Sequence, residues 1–171
     1  MIGFRKLDPR RDLAKVADFY DEAGDYWLLA DRHAHDLQKA RAFFTDAPPG
    51  CDPAASQRLG LFVAGELAGV AELSFGFPEA GDAYLGLMLL APRLRGSGHG
   101  RLFLQEIETR ARAHGCHVLF LAVLEENPRG RAFWQREGFA PTGLSRHDAG
   151  TGHLIHRLAK RLQPAPLPHS P

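Results

Sequence analysis

Three glycines at alternate positions, Gly96, Gly98 and Gly100, sit in the run Arg95-Gly96-Ser97-Gly98-His99-Gly100-Arg101. An apolar stretch precedes them and a segment of helical period follows, with Gly100, Phe103, Leu104, Ile107 and Ala111 on one side. A strand that ends in such a turn and passes at once into a helix aims unpaired N–H groups and the positive end of a helix dipole at one point. A phosphate is the kind of group held there, and glycine lets a ligand approach the main chain without meeting a Cβ. Arg93, Arg95 and Arg101 bracket the turn and can add charge-assisted hydrogen bonds. The bland alternative is an ordinary strand-to-helix turn. Two familiar phosphate loops are disfavoured. No lysine follows the glycines, as a P-loop requires. The spacing is GxGxG, late in a short chain, where the dinucleotide fingerprint needs GxGxxG at the head of a repeated βαβ unit.

The six residues from Arg95 to Gly100 fit the pattern Q/R-x-x-G-x-G/A. Roughly thirty residues on stands Asn127-Pro128-Arg129-Gly130-Arg131-Ala132-Phe133-Trp134-Gln135-Arg136-Glu137-Gly138-Phe139. The pair resembles the acyl-CoA pyrophosphate loop and the Asn-containing helix ending in Gly-Phe of the GNAT superfamily of N-acyltransferases. These segments cover about the middle third of the chain, and the coarse element order extends the likeness to most of it.

The resemblance implies an α+β fold of mixed α/β layers, with a mostly antiparallel sheet of about seven strands flanked by four helices. It implies transfer of an acetyl or other acyl group from acetyl-CoA to a primary amine of a small molecule or peptide, by direct attack in a ternary complex. The coenzyme A phosphates would lie on Arg95, Gly96, Ser97, Gly98, His99, Gly100 and Arg101. The pantetheine arm would pair with main chain at Leu87, Met88 and Leu89, where two parallel strands splay, with Leu124 to Asn127 across the gap. Asn127 and Trp134 complete the cofactor residues.

That reaction makes three further demands. Negative charge developing on the thioester oxygen wants an N–H donor, for which the main chain near Leu89 is placed. The amine must arrive neutral, yet with a pKa near 10.4 only about one molecule in two thousand is neutral at pH 7. A carboxylate base answers this; Glu72 is the first candidate, and Glu125 and Glu126 follow. The departing thiolate wants a proton. Many members carry Tyr in the second helix for this, but alignment on Asn127 and Gly138-Phe139 puts Trp134 there, and an indole N–H is no useful acid. Tyr84 is the substitute. The plain readings are an outward strand residue for Glu72, packing for Trp134 and a helix cap for Asn127.

The chain has 171 residues and a formal charge of +1, which suits one globular domain and gives no general drive toward nucleic acid or membrane. Cys51 and Cys116 form no framework, and the histidines form no ligand set, so neither a disulfide scaffold nor a metal is expected. No apolar run is long enough to span a membrane and the N-terminus lacks a signal-peptide pattern, so a cytoplasmic setting is expected. A homodimer is compatible with this reading. Tyr26, Trp27, Phe43, Phe44, Phe75, Phe77 and Tyr84 are candidate acceptor-site aromatics. No acidic cluster is visible that would suit a polycationic acceptor.

The elements follow in the order β-α-α-β-β-β-α-β-α-β-β. Asp8-Pro9 and Asn127-Pro128 read as N-cap plus first helical position. The second helix is expected from about Asp36 to Thr45 with Leu37, Ala40 and Phe44 inward, and Asp25 to Leu29 as an aromatic-rich connection. Residues 1–162 form one N-acyltransferase domain, and the proline-rich residues 163–171 read as a mobile tail. Two alternatives stand beside the transferase: a non-catalytic acyl-CoA-binding module, motivated by Trp134, and an unrelated nucleotide- or phosphate-binding protein.

Overall fold

The computed structural model describes residues 1–164; most of the tail expectation, residues 165–171, lies outside them. Seven strands form one sheet: β1 (Ile2–Lys6), β2 (Gln57–Val63), β3 (Glu66–Phe75), β4 (Asp82–Leu90), β5 (Val118–Leu124), β6 (Ala140–His147) and β7 (Leu154–Arg161). Their spatial order is β1-β2-β3-β4-β5-β7-β6. Every neighbouring pair is antiparallel except β4 with β5, because the connection between those two is a helix rather than a hairpin.

Among the described residues five α-helices cover the sheet, one more than expected: α1 (Pro9–Glu22), α2 (Gly24–Asp31), α3 (Leu37–Thr45), α4 (His99–Ala113) and α5 (Pro128–Arg136). The extra one is α2, which replaces the expected connection. Gly24 opens it rather than ending α1 in a loop, since Ala23 caps α1 and its carbonyl accepts from the Tyr26 N–H at 3.0 Å. Trp27 explains why the segment coils: it is buried, with its ring 4.7 Å from that of Tyr20, so tertiary packing decides the conformation. In α3 the inward residues are Ala40 and Phe43, while Leu37 is exposed and Phe44 only partly covered.

The two faces have separate cores. Phe103, Leu104, Ile107 and Ala111 of α4, with Trp134 of α5, pack against Leu59, Leu61, Leu73, Leu85, Leu119 and Leu121. On the other face Val16, Phe19, Tyr20, Trp27 and Phe43 pack against Val70 and Leu89. Helix α1 is tied down by buried Asp12, which accepts from both terminal nitrogens of Arg5 and from the Asp8 N–H. Those bonds hold its carboxyl down at about 2.

Candidate active site

β4 and β5 start together and then part. Asp82 to Leu85 pair with Val118 to Leu121. Beyond that point β4 stays with β3 as far as Leu90 opposite Gly69, and β5 stays with β7 as far as Leu124 opposite Ile155. Gly86–Leu90 and Ala122–Leu124 therefore face each other across an unpaired wedge. A bulge accompanies the parting: Leu73 lies opposite Leu85 but Glu72 lies opposite Leu87, so Gly86 is the extra residue. A bulge bends its strand, and a Cβ on residue 86 would lie 2.9 Å from Glu72 Oε2, so a larger residue there would push that carboxylate aside. Past the bulge, Leu87 lines a cleft, Leu89 joins the α1–α3 core and Met88 packs on the opposite face.

The glycine turn lies at the end of the same strand. Gly96 and Gly98 have φ of +76° and +85°, a region that favours glycine. Gly98 is the N-cap of α4 and no side chain caps the helix. The first intrahelical bond is that of Leu102 N–H to the Gly98 carbonyl, at 3.3 Å, so the N–H groups of His99, Gly100 and Arg101 have no partner within the helix. Gly100 serves a different purpose, since a Cβ there would lie 3.1 Å from the Phe133 ring; it lets α4 pack on α5. The bracketing guanidiniums are already engaged. Arg93 pairs with Glu22 at 2.8 Å, Arg95 with Asp25, and Arg101 with Glu137 at 3.2 Å. The turn thus offers main-chain donors, with arginines held by acids rather than free. Ser97 Oγ lies 2.7 Å from His99 Nδ1 and donates to the Leu94 carbonyl.

A cleft of about 320 Å³ opens where the strands part. Gly86, Leu87, Leu124 and Ile155 line it from the sheet; Tyr20, Tyr26, Trp27 and Phe43 line it from the helices. Glu72 reaches it from β3. Burial raises the Glu72 carboxyl from an ordinary 4.5 to about 7, against the opposing pull of Arg58. Arg58 stands directly opposite on β2, only 5% exposed, with Nη1 3.7 Å from Glu72 Oε2. Its Nη2 donates to the Asp46 carbonyl, while Nε and Nη1 find no hydrogen-bond partner among the described residues.

The acids at this cleft come from distant parts of the chain. Asp31, Asp46 and Asp148 line it with Glu72. This corrects the expectation of no acidic cluster: the four are separated in sequence by 15 to 76 residues, and only folding gathers them. Lys39, also in the lining, lies 3.0 Å from Asp31 and 4.7 Å over the Trp27 ring.

Other expected site residues do not line this cleft. Trp134 is buried in the α4-side core between Phe133 and Phe139, with ring separations of 4.9 and 5.3 Å, so its indole is a packing group. Asn127 Oδ1 accepts from the Gly130 N–H at 3.0 Å and caps α5. Tyr84 is outside the cleft lining and packs edge-on to Phe77 at 5.2 Å, its phenol pKa raised by burial. Glu125 bonds His156 and Arg131, and Glu126 bonds Arg32 at 3.1 Å. Phe75 faces the other core, stacked on His114 at 3.7 Å. Tyr20, Tyr26, Asp31, Lys39, Asp46, Arg58 and Asp148 were not expected as site residues on these grounds, apart from Tyr26 as an aromatic. No group of three His, Cys, Asp or Glu suited to a metal exists among the described residues. No helix among them is long and apolar enough to cross a membrane.

Comparison with known proteins agrees with this geometry. The model of a family described as Acetyltransferase (GNAT) family matches residues 16–139. No curated protein matches the chain. Among solved structures, an acetyltransferase from Thermus thermophilus superposes with a TM-score of 0.73 at 23% identity, over 95% of this chain and 97% of that one. A GCN5-related N-acetyltransferase from Kribbella flavida gives 0.68 at 22% identity, over 94% and 98%. The ribosomal-protein-S18-alanine N-acetyltransferase of Escherichia coli gives 0.71 at 16%, over 98% and 97%.

Proposed function

The chain belongs to the GNAT acetyltransferase family, and on that premise we propose that it transfers the acetyl group of acetyl-CoA to a primary amine held in the Glu72 cleft. Family membership supports acyl transfer from an acyl-CoA in general. The observation that carries the finer reading is the wedge between β4 and β5, which opens beside the glycine turn on one side and onto Glu72 on the other.

In this reading the coenzyme A diphosphate takes the free N–H groups at the start of α4, where the helix dipole favours an anion. The pantetheine amides pair with the unpaired edge of β4 at Leu87, Met88 and Leu89. The thioester then lies at the mouth of the cleft, with a main-chain N–H near Leu89 as donor to the developing oxyanion. The acceptor ammonium enters from the α2–α3 side among Tyr26, Trp27 and Phe43. Glu72 takes its proton, directly or through water; a carboxylate near 7 is ionised often enough to accept and basic enough to be useful. The neutral amine attacks the carbonyl carbon, the C–S bond breaks, the nitrogen releases its second proton to solvent as the amide forms, and the thiolate takes the proton that Glu72 holds. An alkyl or peptide amine fits because the cleft combines aromatic walls with carboxylates.

Two measurements test this together: calorimetric titration with acetyl-CoA, and thiol release against a panel of amines. Saturable binding with amine-dependent release is expected. Gly98→Asp places a carboxylate in the phosphate cradle and should abolish binding. Undiminished affinity in that variant would move the cofactor elsewhere, and binding with no transfer to any amine would favour a non-catalytic acyl-CoA-binding module.

A further inference from the structure

The cleft contains an amine of the protein's own. Lys6, Lys15, Lys39 and Lys160 are the only lysines, against seventeen arginines, whose guanidiniums stay protonated. Lys15 lies on α1 with Nζ 4.0 Å from Asp12, and Lys160 contacts Glu108 of α4 on the far face. Of the four lysines, Lys39 alone lines the cleft. The space it shares with Glu72, Gly86 and Leu87 is roughly 8 to 9 Å across if taken as a sphere. Its head is partly open to solvent, steadied by Asp31 at 3.0 Å and by the Trp27 face at 4.7 Å. It thus occupies the aromatic and acidic corner in which an acceptor ammonium would rest.

We propose that Lys39 is itself an acyl acceptor, so that the protein bound to an acyl-CoA modifies its own cleft in cis. The proposal rests on the acyl-transfer reading above. Lys39 Nζ gives a proton to Glu72, and its lone pair attacks the thioester carbonyl carbon. The N–C bond forms as the C–S bond breaks, and the nitrogen releases its second proton to solvent. The coenzyme leaves as thiolate and takes the proton from Glu72, so the products are an Nε-acyl-lysine and free coenzyme A.

The modification changes the site in a defined direction. The acyl-lysine is neutral, so the ion pair with Asp31 and the cation–π contact with Trp27 are both lost. Asp31, Asp46, Glu72 and Asp148 then keep no ammonium among them. The Lys39 charge also holds down the Glu72 pKa, and removing it moves Glu72 further upward. Self-acylation therefore raises the pH needed for transfer and sharpens the negative charge that an incoming amine meets.

The experiment incubates the full chain with acetyl-CoA and no acceptor, then follows intact mass and the peptide map. One added acetyl group on Lys39 is expected, at a rate at least tenfold above that on Lys15. The rate should be independent of protein concentration and saturable in acetyl-CoA. Glu72→Gln should slow it about a hundredfold, the scale of a general base, and Lys39→Arg should remove it while keeping the charge. Acetylation spread evenly over the four lysines, or unchanged by Glu72→Gln, would overturn the proposal. Its failure differs from failure of the wider reading. A protein that binds acetyl-CoA and acetylates an added amine, yet leaves Lys39 unmodified, refutes only the self-acylation. A protein that does not bind acetyl-CoA refutes both.

Discussion

Replacing Glu72 with Gln tests the central carboxylate through stability as well as rate. The side chain is 16% exposed and stands among Tyr20, Phe43 and Leu87, so ionising it is unfavourable, and burial raises its pKa from 4.5 to about 7. Below pH 4.5 the carboxyl is neutral in both folded and unfolded chains and contributes no pH-dependent term. Between 4.5 and 7 the unfolded chain ionises and the folded one does not, so stability falls as pH rises. Above 7 both are ionised and the full difference remains. At 1.36 kcal/mol per unit the loss amounts to about 3 kcal/mol. Glutamine does not titrate, so the stability of Glu72→Gln relative to the parent should climb by that amount between pH 4.5 and 8. Any constant offset from leaving Arg58 without its partner does not alter the slope. Urea melts of both proteins across this range measure it. In the same variant kcat/KM should fall by about a hundredfold or more. Parallel stability curves for the two proteins would refute the reasoning, because they would mean that Glu72 ionises in the fold as readily as in water.

Arg58→Met removes the cation that opposes Glu72's upward shift, so the acid limb of the rate profile should move to higher pH; an unmoved limb would detach Arg58 from the site. Gly98→Ala puts a Cβ at φ +85°, costing about 1–2 kcal/mol. Nothing lies within 4 Å of that Cβ, so weakened acetyl-CoA binding by calorimetry would report backbone conformation rather than a clash. Asp12, at about 2 instead of 3.8, contributes roughly 2 kcal/mol that is present above pH 3.8 and lost as pH falls through 2; Asp12→Asn should flatten that part of the acid melting curve. Tyr26→Phe and Tyr84→Phe should each leave the alkaline side of the rate profile unchanged, and loss of an alkaline limb in either would identify a phenol as the proton donor to sulfur.

The glycine turn, β4 and α5 were legible in the sequence because their signals are local. Gly96 and Gly98 announce left-handed backbone, apolar alternation announces β4, and Asn127-Pro128 announces α5; each acts within a few residues. The parallel β4–β5 pair followed from the helix that links its strands, whereas their splaying was implied by the family resemblance. The Glu72 cleft was hidden because seven elements, α1, α2, α3, β3, β4, β5 and β7, meet there. Asp31, Asp46 and Asp148 carry no motif, and Arg58 faces Glu72 only through the β2–β3 register. Helix α2 escaped because its residues make a weak helical signal, and burial of Trp27 decides its conformation. The three arginines were expected beside the phosphates for their charge, Arg95 also as the first residue of the loop motif, whereas Glu22, Asp25 and Glu137 come from other helices or their caps to engage them.

Under the proposed function, proton bookkeeping allows a chain with Trp134 in place of tyrosine to release a thiolate. Each turnover removes two protons from the acceptor ammonium, one taken by the carrier and one lost to solvent as the amide forms, and returns one to sulfur, so a single carrier can supply sulfur if its pKa lies below that of the thiol. Glu72 near 7 is such a carrier. A free thiol has a pKa near 8.5, so transfer from protonated Glu72 to thiolate is downhill by about 2 kcal/mol. Tyr26, pushed up to about 12 by burial, would donate uphill by about 5 kcal/mol. The cleft phenols are therefore poor acids in the environment that makes Glu72 a serviceable one, and both effects share a cause: apolar walls disfavour every anion placed among them. On the proposed reaction position 134 is free to be filled for packing, as the Trp134–Phe139 contact that closes α5 onto the core fills it.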